Sequence, residues 1–393
     1  MAIASYRLCS AGETLQRVSP FLLRLGITRL SSQTGLDKIG IPVWCAFAPN
    51  ARAIVIAQGK GLTDEAAKTS AAMEAIERSV ATNPTCTVIT ANLDELAKRG
   101  VRFDTLQSLL ALKKQPLSGS EDIEWVEGRD LSTGEPVLLP FEAVHLDRTK
   151  DDRRYWQSSD GLASGNTRDE ALFHGLMERV ERDALTLWQI AAPARRFARR
   201  LDPAGIEEPE LCDMLERIER ADLEIALFDI TSDLGLSCIA AILAPRHRPA
   251  FPPLRHVEVT LGCGAALQPE LAASRAISEA VQSRMTFIGG ARDDLLPELF
   301  EKPAAGDTLQ AFAAKTHVAL SDLPRHAAST ATEGLERLVR HLTQKSITRL
   351  YAVDLAPEWL PAAVAKVIVP QLENPDGDRR QRFGMRALSK ALS

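Results

Sequence analysis

The sequence predicts an α+β fold with mixed and antiparallel sheets, built from three similar strand–turn–helix units. Strands and helices alternate over the 393 residues without the strict rhythm of a doubly wound sheet. The composition, 45% hydrophobic and 25% charged, is that of an ordinary globular protein. Two stretches, 61–78 and 165–182, also resemble each other residue by residue. We therefore expect one domain, in which residues 1–60 supply lead-in strands that are integral to the unit formed by 61–393.

The first elements follow from turn and capping signals. Gly26 ends a helix that the pattern predicts over Glu13–Leu25. Two apolar runs, 41–48 and 53–58, predict strands joined at Pro49-Asn50, and Gly59-Lys60-Gly61 is expected to break the second strand. Thr63 then caps a helix that reaches about Ala81.

The remaining elements follow from periodicity and length. We predict helices over 92–99, 103–112, 167–190, 209–221, 269–287 and 334–344. We predict strands over 123–126, 136–139, 223–229, 238–243, 257–263, 349–354 and 364–369, and a surface loop over 147–160. A basic end follows at Arg379, Arg380, Arg382 and Arg386, which either docks an acidic peptide or partner or forms a solvated helix.

Charge and cysteine usage exclude several classes of protein. The net charge of -5 offers no overall basic field for nucleic acid, and no apolar stretch is long enough to predict a membrane span. The six cysteines are scattered, and Cys45, Cys238 and Cys263 lie in apolar runs, as buried free thiols do. No zinc-binding spacing of histidines occurs. We therefore expect a cytoplasmic protein.

An internal repeat carries acidic residues. Residues 61–78 match residues 165–182, 104 positions further on, at a Gly, a Thr, an Ala, a Met, two Glu and an Arg. The matched acids and bases are Glu74, Glu77 and Arg78 in the first copy and Glu178, Glu181 and Arg182 in the second. A weaker third copy, at an offset of 205, places Arg275, Glu279 and Gln282 at the positions of Ser70, Glu74 and Glu77.

The spacing puts the polar groups of each copy on one helix face. Ser70, Glu74 and Glu77 stand at i, i+4 and i+7, and the second helix has a stripe of Glu170, His174, Glu178 and Glu181. Carboxylates so arranged on two helices repel one another unless cations lie between them, and Mg²⁺ keeps open positions for phosphate oxygens. The geometry predicts a nucleoside triphosphate held through metals between the two helices, with Arg78 and Arg182 approaching its phosphates.

A structural alternative remains open for these residues. A Glu-x-x-Glu-Arg pattern is commonly a solvated helix face with local ion pairs. The apolar neighbours of the glutamates favour partial burial instead. For Lys60, a solvated lysine in a turn is the favoured interpretation over a phosphate contact, because the full phosphate-loop pattern is missing.

At these residues the chain resembles the YcaO superfamily. Ser70, Glu74, Glu77 and Arg78 match the first ATP motif of that family. Asn166, Glu170, Glu178, Glu181 and Arg182 match the second motif, and Arg275 and Glu279 match the third. Arg7 and Thr14 are matched to its N-terminal nucleotide contacts, while Ala163 and His174 depart from the Ser and Gln that are frequent in the second motif. The segments 26–29, 34–43 and 58–61 resemble the subgroup that works beside a TfuA-type partner.

The resemblance implies an ATP- and Mg²⁺-dependent enzyme that activates backbone amides of a peptide or protein. Glu74, Glu77, Glu178 and Glu181 would hold Mg²⁺, and Arg78, Arg182 and Arg275 would contact phosphates. Asn166, Glu170 and His174 would orient the nucleoside or water next to the metal ions. The TfuA-like segments and the absence of a Pro-x-Pro-x-Pro end favour thioamide formation with a TfuA-like partner. An azoline-forming cyclodehydratase and a non-catalytic ATP-binding scaffold remain alternatives, and homodimer formation is a further expectation.

Overall fold

The computed structural model describes residues 6–150, 152–248, 253–290, 292, 294–374 and 383–392. Within them the helices are α1 (Ala11–Val18), α2 (Asp64–Thr82), α3 (Leu93–Lys98), α4 (Phe141–Val144), α5 (Arg168–Gln189), α6 (Pro193–Arg196), α7 (Pro209–Arg220), α8 (Pro269–Gly289), α9 (Glu298–Glu301), α10 (Gly306–Leu309), α11 (Ala331–Gln344) and α12 (Met385–Leu392). The strands are β1 (Arg29–Ser32), β2 (Val43–Phe47), β3 (Ile56–Lys60), β4 (Val88–Ala91), β5 (Ile123–Asp130), β6 (Pro136–Pro140), β7 (Leu162–Gly165), β8 (Arg200–Leu201), β9 (Leu223–Asp229), β10 (Ser237–Pro245), β11 (Thr260–Ala266), β12 (Thr316–Val318), β13 (Tyr351–Asp354) and β14 (Ala363–Ile368). The predicted α+β class is confirmed.

The described strands form three sheets. One has the order β1-β2-β3, and a second has the order β11-β10-β9-β8-β12, in which only the β8–β12 pair is parallel. The third has the order β4-β5-β13-β14-β7, with β6 paired to β5. Strands β3, β7 and β11 each lie at an edge of their own sheet, and each leads directly into a long helix, α2, α5 or α8.

The three strand–helix units close into a ring. Each long helix packs against the strand that precedes it and also against the edge strand of the next unit. Helix α2 contacts β7, α5 contacts β11, and α8 contacts β3. The polar stripes of the three helices are therefore brought toward a common region. That the units derive from one repeat stays a prediction.

Each long helix also lies in a hydrophobic cluster of its own. Ile76 of α2, Leu176 and Met177 of α5, and Ile277 of α8 are almost completely buried in three separate clusters. Burial of an apolar stripe fixes the rotation of a helix about its axis, and therefore the direction in which its carboxylates point. Truncating one of these side chains to alanine is expected to cost about 2–5 kcal/mol.

Glycines allow strand and helix to approach closely within each unit. A Cβ atom on Gly59 would lie 2.0 Å from the backbone N of Ala71, and one on Gly262 would lie 2.1 Å from the carbonyl O of Ala276. No side chain fits at that separation, so backbone contact requires glycine there. Strand β3 runs through Gly59 and ends at Lys60. The strand therefore ends within the Gly59-Lys60-Gly61 segment that is expected to break it, but it continues through Gly59 rather than stopping before it.

The predicted helix over 103–112 is wrong. The Asp104 carboxylate accepts a hydrogen bond from the Leu106 backbone N at 2.8 Å, and Leu106 has a positive φ of 50°. An Asx turn of this kind competes with helix formation. Only a single 3₁₀ turn, Gln107–Leu109, remains.

Among the other element boundaries that differ from those expected, two have a clear local cause. Helix α1 ends at Val18, because Pro20 has no backbone N–H, and two 3₁₀ turns lead to Gly26 at φ 76°. The strand expected from Val257 begins only at Thr260, since a 3₁₀ turn, His256–Glu258, precedes it.

The cysteine prediction is confirmed within the described residues. Cys45, Cys238 and Cys263 are buried and carry free thiols. Burial raises the pKa of Cys45 to about 11, so this thiol stays protonated. No helix in the described part of the chain has both the length and the apolar character needed to cross a membrane.

Candidate nucleotide and metal site

A hydrogen bond from the neighbouring unit reaches a carboxylate on each long helix. The donor–acceptor pairs are Ser164 Oγ to Glu77 Oε1 at 2.6 Å, Ala265 N to Glu181 Oε2 at 3.0 Å, and Lys60 Nζ to Glu279 Oε2 at 2.6 Å. The three donors occupy equivalent positions in the aligned copies, at offsets of 104 and 205. Three different groups, a hydroxyl, a backbone N–H and an ammonium, therefore make the same connection in the ring.

Helix α2 presents one carboxylate that forms an ion pair and one that is bound only by a neutral hydrogen-bond donor among the described residues. Glu74 forms an ion pair with Arg78, one turn along the helix. Glu77 has only the Ser164 hydroxyl as a hydrogen-bond donor among the described residues. Burial outweighs this hydrogen bond and raises the pKa of Glu77 to about 8, with the Glu74 and Glu178 carboxylates adding to the rise. A carboxyl group that holds a proton near neutrality can exchange it for a metal ion.

Arg182 of α5 lies between carboxylates of several elements. Its ion-pair distances are 3.2 Å from Nη2 to Glu178 Oε1, 3.3 Å from Nη1 to Glu181 Oε1, 3.6 Å from Nε to Asp160 Oδ1 and 3.9 Å from Nη1 to Glu279 Oε1. Burial alone would lower the pKa of Arg182, but these carboxylates outweigh it and raise the pKa well above its ordinary value. Its buried Nε has no hydrogen-bond acceptor among the described residues. One guanidinium therefore serves as the shared cation of the cluster.

The carboxylates of α5 still carry uncompensated negative charge. Glu178 Oε2 accepts a hydrogen bond from the Gly161 backbone N at 2.9 Å. Burial nevertheless raises the pKa of Glu178, and it raises the pKa of Glu181 to about 7, although Arg182 opposes both shifts. Helices α2 and α5 thus present more acid than the available cations neutralise.

Helix α8 differs, because its acid has a cation of its own. Burial would raise the pKa of Glu279, but Lys60 and Arg182 outweigh burial and lower it. Lys60 is the last residue of β3, and its side chain is 26% exposed. The interpretation of Lys60 as a solvated lysine in a turn is therefore wrong.

The other polar residues of α8 bind backbone carbonyl groups. Arg275 Nη1 donates to the carbonyl O of Ala265 at 2.9 Å, and Gln282 Nε2 donates to that of Gln58 at 2.6 Å. Burial lowers the pKa of Arg275. Arg275 and Gln282 thus tie α8 to its own strand β11 and to β3.

The N-terminal segment is held against the second motif by Glu170. This buried carboxylate accepts hydrogen bonds from the backbone N of Leu8 at 2.5 Å and from that of Asn166 at 2.9 Å, and it lies 3.4 Å from Arg7 Nη1. Thr14 Oγ1 donates to Asn166 Oδ1 at 3.1 Å. The structure thus brings Arg7 and Thr14 beside the second motif.

His174 and Ser70 make fewer polar contacts. His174 Nε2 is buried with no hydrogen-bond partner among the described residues. Burial, together with Arg7 and Arg275, lowers the pKa of His174 well below its ordinary value, so the ring is neutral. Ser70 is half-buried and lies one turn before Glu74 on the same face of α2.

Two buried charged residues near the site, Lys366 and Asp160, were not singled out from the sequence as ligands. Lys366 Nζ donates to the carbonyl O atoms of Ser158 and Asp160, at 2.5 and 2.8 Å. This holds the loop whose Gly161 N–H binds Glu178. A single lysine within the apolar strand β14 was a usable signal, since buried lysines are rare without a specific partner.

The donor set suits a divalent ion that shares its ligands with phosphate. In the part of the chain that the structure describes, no three His, Cys, Asp or Glu side chains converge closely enough to cage a metal by themselves. Mg²⁺ is usually bound by one or two carboxylates together with phosphate oxygens and water, so it does not need such a cage. The raised pKa values of Glu77, Glu178 and Glu181 and the unsatisfied Nε of Arg182 fit this mode of binding.

Relatives of known sequence cover almost the whole chain. The chain is 35% identical over 389 residues to a Rhizobium leguminosarum bv. trifolii protein described as lying in the tfuA 3′ region, with 98% of this chain and 92% of that protein covered. It is 32% identical over 376 residues to a protein of Methanothermobacter thermautotrophicus, covering 92% of this chain and 93% of that one.

Solved structures share the fold. YcaO from Methanopyrus kandleri, bound with AMPPCP and Mg²⁺, superposes with a TM-score of 0.74 at 25% identity and covers 96% of both chains. A heterocyclase in complex with substrate and cofactor gives a TM-score of 0.78 at 19% identity, over 98% of this chain and 55% of that longer one. This chain thus spans about half of the heterocyclase. The family described as YcaO cyclodehydratase, ATP- and Mg²⁺-binding, matches residues 58–373, and the chain belongs to this family.

Proposed function

We propose that this protein uses ATP and Mg²⁺ to activate a backbone amide of a peptide or protein, and that it forms a thioamide with a TfuA-like partner. The observation that carries the proposal is the excess of buried carboxylates on α2 and α5 around the shared cation Arg182. The family to which the chain belongs is described as ATP- and Mg²⁺-binding, and this supports the choice of cofactors. The relative from the tfuA region supports the choice of product and partner.

Each predicted residue has a role in this proposal. The metal ligands are Glu74, Glu77, Glu178 and Glu181. The phosphate contacts are Arg78, Arg182 and Arg275. The remaining nucleotide contacts come from Arg7, Thr14, Ser70, Asn166, Glu170, His174 and Glu279. Lys366 positions the Glu178 carboxylate through the loop that it holds, and Asp160 positions the Arg182 guanidinium. Neither residue contacts nucleotide in this proposal.

The reaction balances without an external oxidant or reductant. A sulfide adds to the amide carbonyl carbon, and the resulting oxyanion takes the γ-phosphoryl group, releasing ADP. The carbon–oxygen bond then breaks, phosphate leaves with the former carbonyl oxygen, and loss of the sulfur-bound proton gives the thioamide. Preorganised guanidinium groups stabilise the charge that develops on the transferring phosphoryl group.

We propose that residues 1–60 belong to the catalytic domain. Strands β1 and β2 form one sheet with β3, so the first strand–helix unit has no sheet without them. The Leu8 backbone N also hydrogen-bonds Glu170, within the second motif. Removing this segment is expected to unfold the first unit.

Azoline formation is the second candidate. The similarity in fold to a heterocyclase and the cyclodehydratase description of the family favour it. In that reaction a Cys, Ser or Thr side chain of the peptide, rather than sulfide, adds to the preceding carbonyl. The same carboxylates and guanidinium groups serve both reactions, so the site alone does not separate the two products.

Calorimetric titration with AMPPCP, with and without Mg²⁺, tests the nucleotide site. Wild-type protein is expected to bind only with Mg²⁺, and Glu178→Gln is expected to lose at least about 1.4 kcal/mol, or tenfold, in affinity. Glu336→Gln, on the exposed face of α11, is the matched control and should bind as wild type does. Equal binding by Glu178→Gln would remove the proposed metal role.

Mass spectrometry of the proteome tests the product. Cells that carry the wild-type gene are compared with cells that carry the Glu178→Gln gene. Exchange of a backbone oxygen for sulfur only in wild-type cells supports thioamidation, and loss of one water supports azoline formation. A modification that persists in the variant cells would instead support the scaffold alternative.

A further inference from the structure

A second face of α5, next to the one that forms the site, carries two buried charged residues. Arg179 is 3% exposed and Asp183 is completely buried. At about 100° per residue these two share one face, whereas Glu178 and Arg182 share a face about 100° away. Charged residues are almost never this buried without a specific partner. Their partners therefore indicate what the second face does.

Both residues bind the C-terminal part of the described chain. Arg179 Nη2 donates to the carbonyl O of Glu373 at 2.7 Å. Asp183 Oδ1 accepts a hydrogen bond from the Glu373 backbone N at 3.0 Å, and its two oxygens accept from Arg386 at 2.8 and 2.9 Å. The Glu373 carboxylate in turn accepts from the Ala387 backbone N at 2.9 Å. One segment is thereby fixed to both charged residues.

The same network contains the described residue of the predicted basic end. Arg379, Arg380 and Arg382 lie outside the described residues. Arg386 faces inward with its side chain 18% exposed, and it also binds Asp233 at 2.6 Å. Arg386 therefore has its acidic partners within the chain itself.

The stem of Arg179 supports a loop of the site, residues 158–161. A Cβ atom on Gly161 would lie 2.9 Å from Arg179 Cδ, so the loop backbone rests directly on this side chain. Gly161 donates its backbone N–H to Glu178, and the Asp160 carboxylate lies 3.6 Å from Arg182 Nε. Arg179 thus contacts, from behind, the loop that orients both site residues.

We propose that Arg179 and Asp183 are positioning residues, which hold the metal-binding face of α5 in the geometry that Mg²⁺ and phosphate require. Arg179 acts through the loop 158–161, and Asp183 fixes the rotation of α5 about its axis. Neither residue contacts nucleotide in this proposal. It rests on the proposed function, in which Glu178 binds metal, and adds the part of the chain that makes this binding precise.

Small rotations of α5 decide how well its side chains meet a ligand. Side-chain atoms lie about 5–6 Å from a helix axis, so a rotation of about 10° moves them by about 1 Å. A misplacement of about 1 Å can cost an enzyme about 100-fold in rate. Burial of apolar surface is non-directional, whereas hydrogen bonds weaken steeply with angle. The contacts of Arg179 and Asp183 therefore set the rotation more sharply than apolar packing does.

A network that serves stability alone is the alternative, and its energetics argue against it. Buried ion pairs contribute little net stability, because desolvation offsets their attraction. Arg179 also leaves its buried Nη1 without a hydrogen-bond partner among the described residues. Apolar side chains of similar volume would stabilise this region as well, but they would not fix the direction of Glu178.

Calorimetric titration with AMPPCP at several Mg²⁺ concentrations tests the positioning role. Arg179→Met and Asp183→Asn should each raise the Mg²⁺ concentration for half-maximal binding by at least about tenfold. Arg179→Lys keeps a charged donor for the Glu373 carbonyl and should recover most of that loss. The matched control is Asp130→Asn, because Asp130 is also buried and paired with an arginine, Arg102, but lies at the end of β5. It should lower stability in urea without changing the Mg²⁺ dependence.

Hydrogen exchange of the metal-free protein measures the same role without nucleotide. In Arg179→Met the segment 158–165 should exchange at least about tenfold faster than in wild type, while the equivalent segment of the first unit, 56–62, keeps its rate. Equal acceleration of both segments would overturn the positioning role. Should Arg179→Met fail to fold, Arg386→Gln, at the outer end of the network, must give both shifts in the same direction, and their absence would overturn the role.

The two measurements separate failure of this proposal from failure of the proposed function. Wild-type protein without Mg²⁺-dependent binding, together with faster exchange of 158–165 in the variant, would remove the proposed function and leave the positioning role standing. Unchanged Mg²⁺ dependence in Arg179→Met and Asp183→Asn would remove the positioning role and leave the proposed site. An equal shift in Asp130→Asn would also remove it.

Discussion

Buried carboxylates are compensated differently on two sides of the ring. One side is formed by helices α2 and α5, and the other by helix α8. The α2–α5 side carries Glu77, Glu178 and Glu181 with raised pKa values. The α8 side carries Glu279, whose pKa is lowered because Lys60 and Arg182 outweigh burial. The α2–α5 side therefore has too few cations for its carboxylates, whereas the carboxylate on the α8 side is already compensated by Lys60 and Arg182.

The difference follows from a single equivalent position in the three units. The strand donor facing α2 is a neutral hydroxyl, the one facing α5 is a backbone N–H, and the one facing α8 is the Lys60 ammonium. Only the ammonium carries a full charge to offset a carboxylate in a low-dielectric site. We infer that metal binds on the α2–α5 side, while α8 supplies groups for the remaining phosphate charge.

The largest expected effect comes from removing an acid on the metal side. Glu181→Gln should reduce ATP turnover by about 1,000-fold, since electrostatic stabilisation of a transferring phosphoryl group is worth several kcal/mol. The same variant should raise the melting temperature of the metal-free protein, because it relieves repulsion among buried carboxylates. Turnover assays and thermal unfolding in a chelator check both effects. A variant that is inactive and also less stable in chelator would contradict the comparison.

Lys366→Met should have the next largest effect. It leaves the carbonyl groups of Ser158 and Asp160 without their charged donor, at a cost of about 2–3 kcal/mol in unfolding free energy. The loop that binds Glu178 through Gly161 should loosen, so Mg²⁺-dependent AMPPCP affinity is expected to fall about tenfold. Urea unfolding and calorimetry measure the two quantities. Lys345→Met, an exposed change after α11, is the control, and a purely structural role for Lys366 would lower stability with unchanged affinity.

The pH dependence of stability separates the two sides without mutation. Glu77 has a pKa raised from 4.5 to about 8, so between these values the folded protein binds a proton that the unfolded chain releases. The free energy of unfolding of the metal-free protein should therefore fall as pH rises from about 5 to about 8, by at least about 1.4 kcal/mol, the equivalent of one pKa unit. Mg²⁺ should stabilise the protein more at the higher pH. Denaturant titrations at several pH values measure this slope, and Glu77→Gln should flatten it.

The polar stripes could be predicted from the sequence because they depend only on helical spacing. Glu74, Glu77, Glu178 and Glu181 repeat with a constant offset, and any helix places such residues on one face. The contacts between units could not be predicted in the same way. Ser164 and Ala265 hydrogen-bond carboxylates of neighbouring helices, and which strand meets which helix depends on the ring closure of three sheets.

Local turn chemistry explains the wrong assignments, and burial explains the residues that were overlooked. Leu106 lies in an Asx turn that a helical pattern of apolar residues conceals. Gly59 looks like a strand breaker in isolation, yet it is needed where β3 lies against the backbone of α2. Lys366 contacts carbonyl groups more than 200 positions earlier in the chain. No local pattern encodes such a contact.

The smallest expected effect concerns the pair on the α8 side. Lys60 and Glu279 are each partly exposed, at 26% and 22%, so their coupling should be only about 0.5–1 kcal/mol. A double-mutant cycle with Lys60→Met and Glu279→Gln, followed by urea unfolding, measures this coupling directly. Glu279→Gln alone should lower stability, whereas Glu77→Gln should raise it in metal-free protein near pH 8, because the first acid has a cation and the second does not. If both substitutions shift stability in the same direction, the two sides of the ring are not electrostatically distinct, and the assignment of metal to α2 and α5 loses its basis.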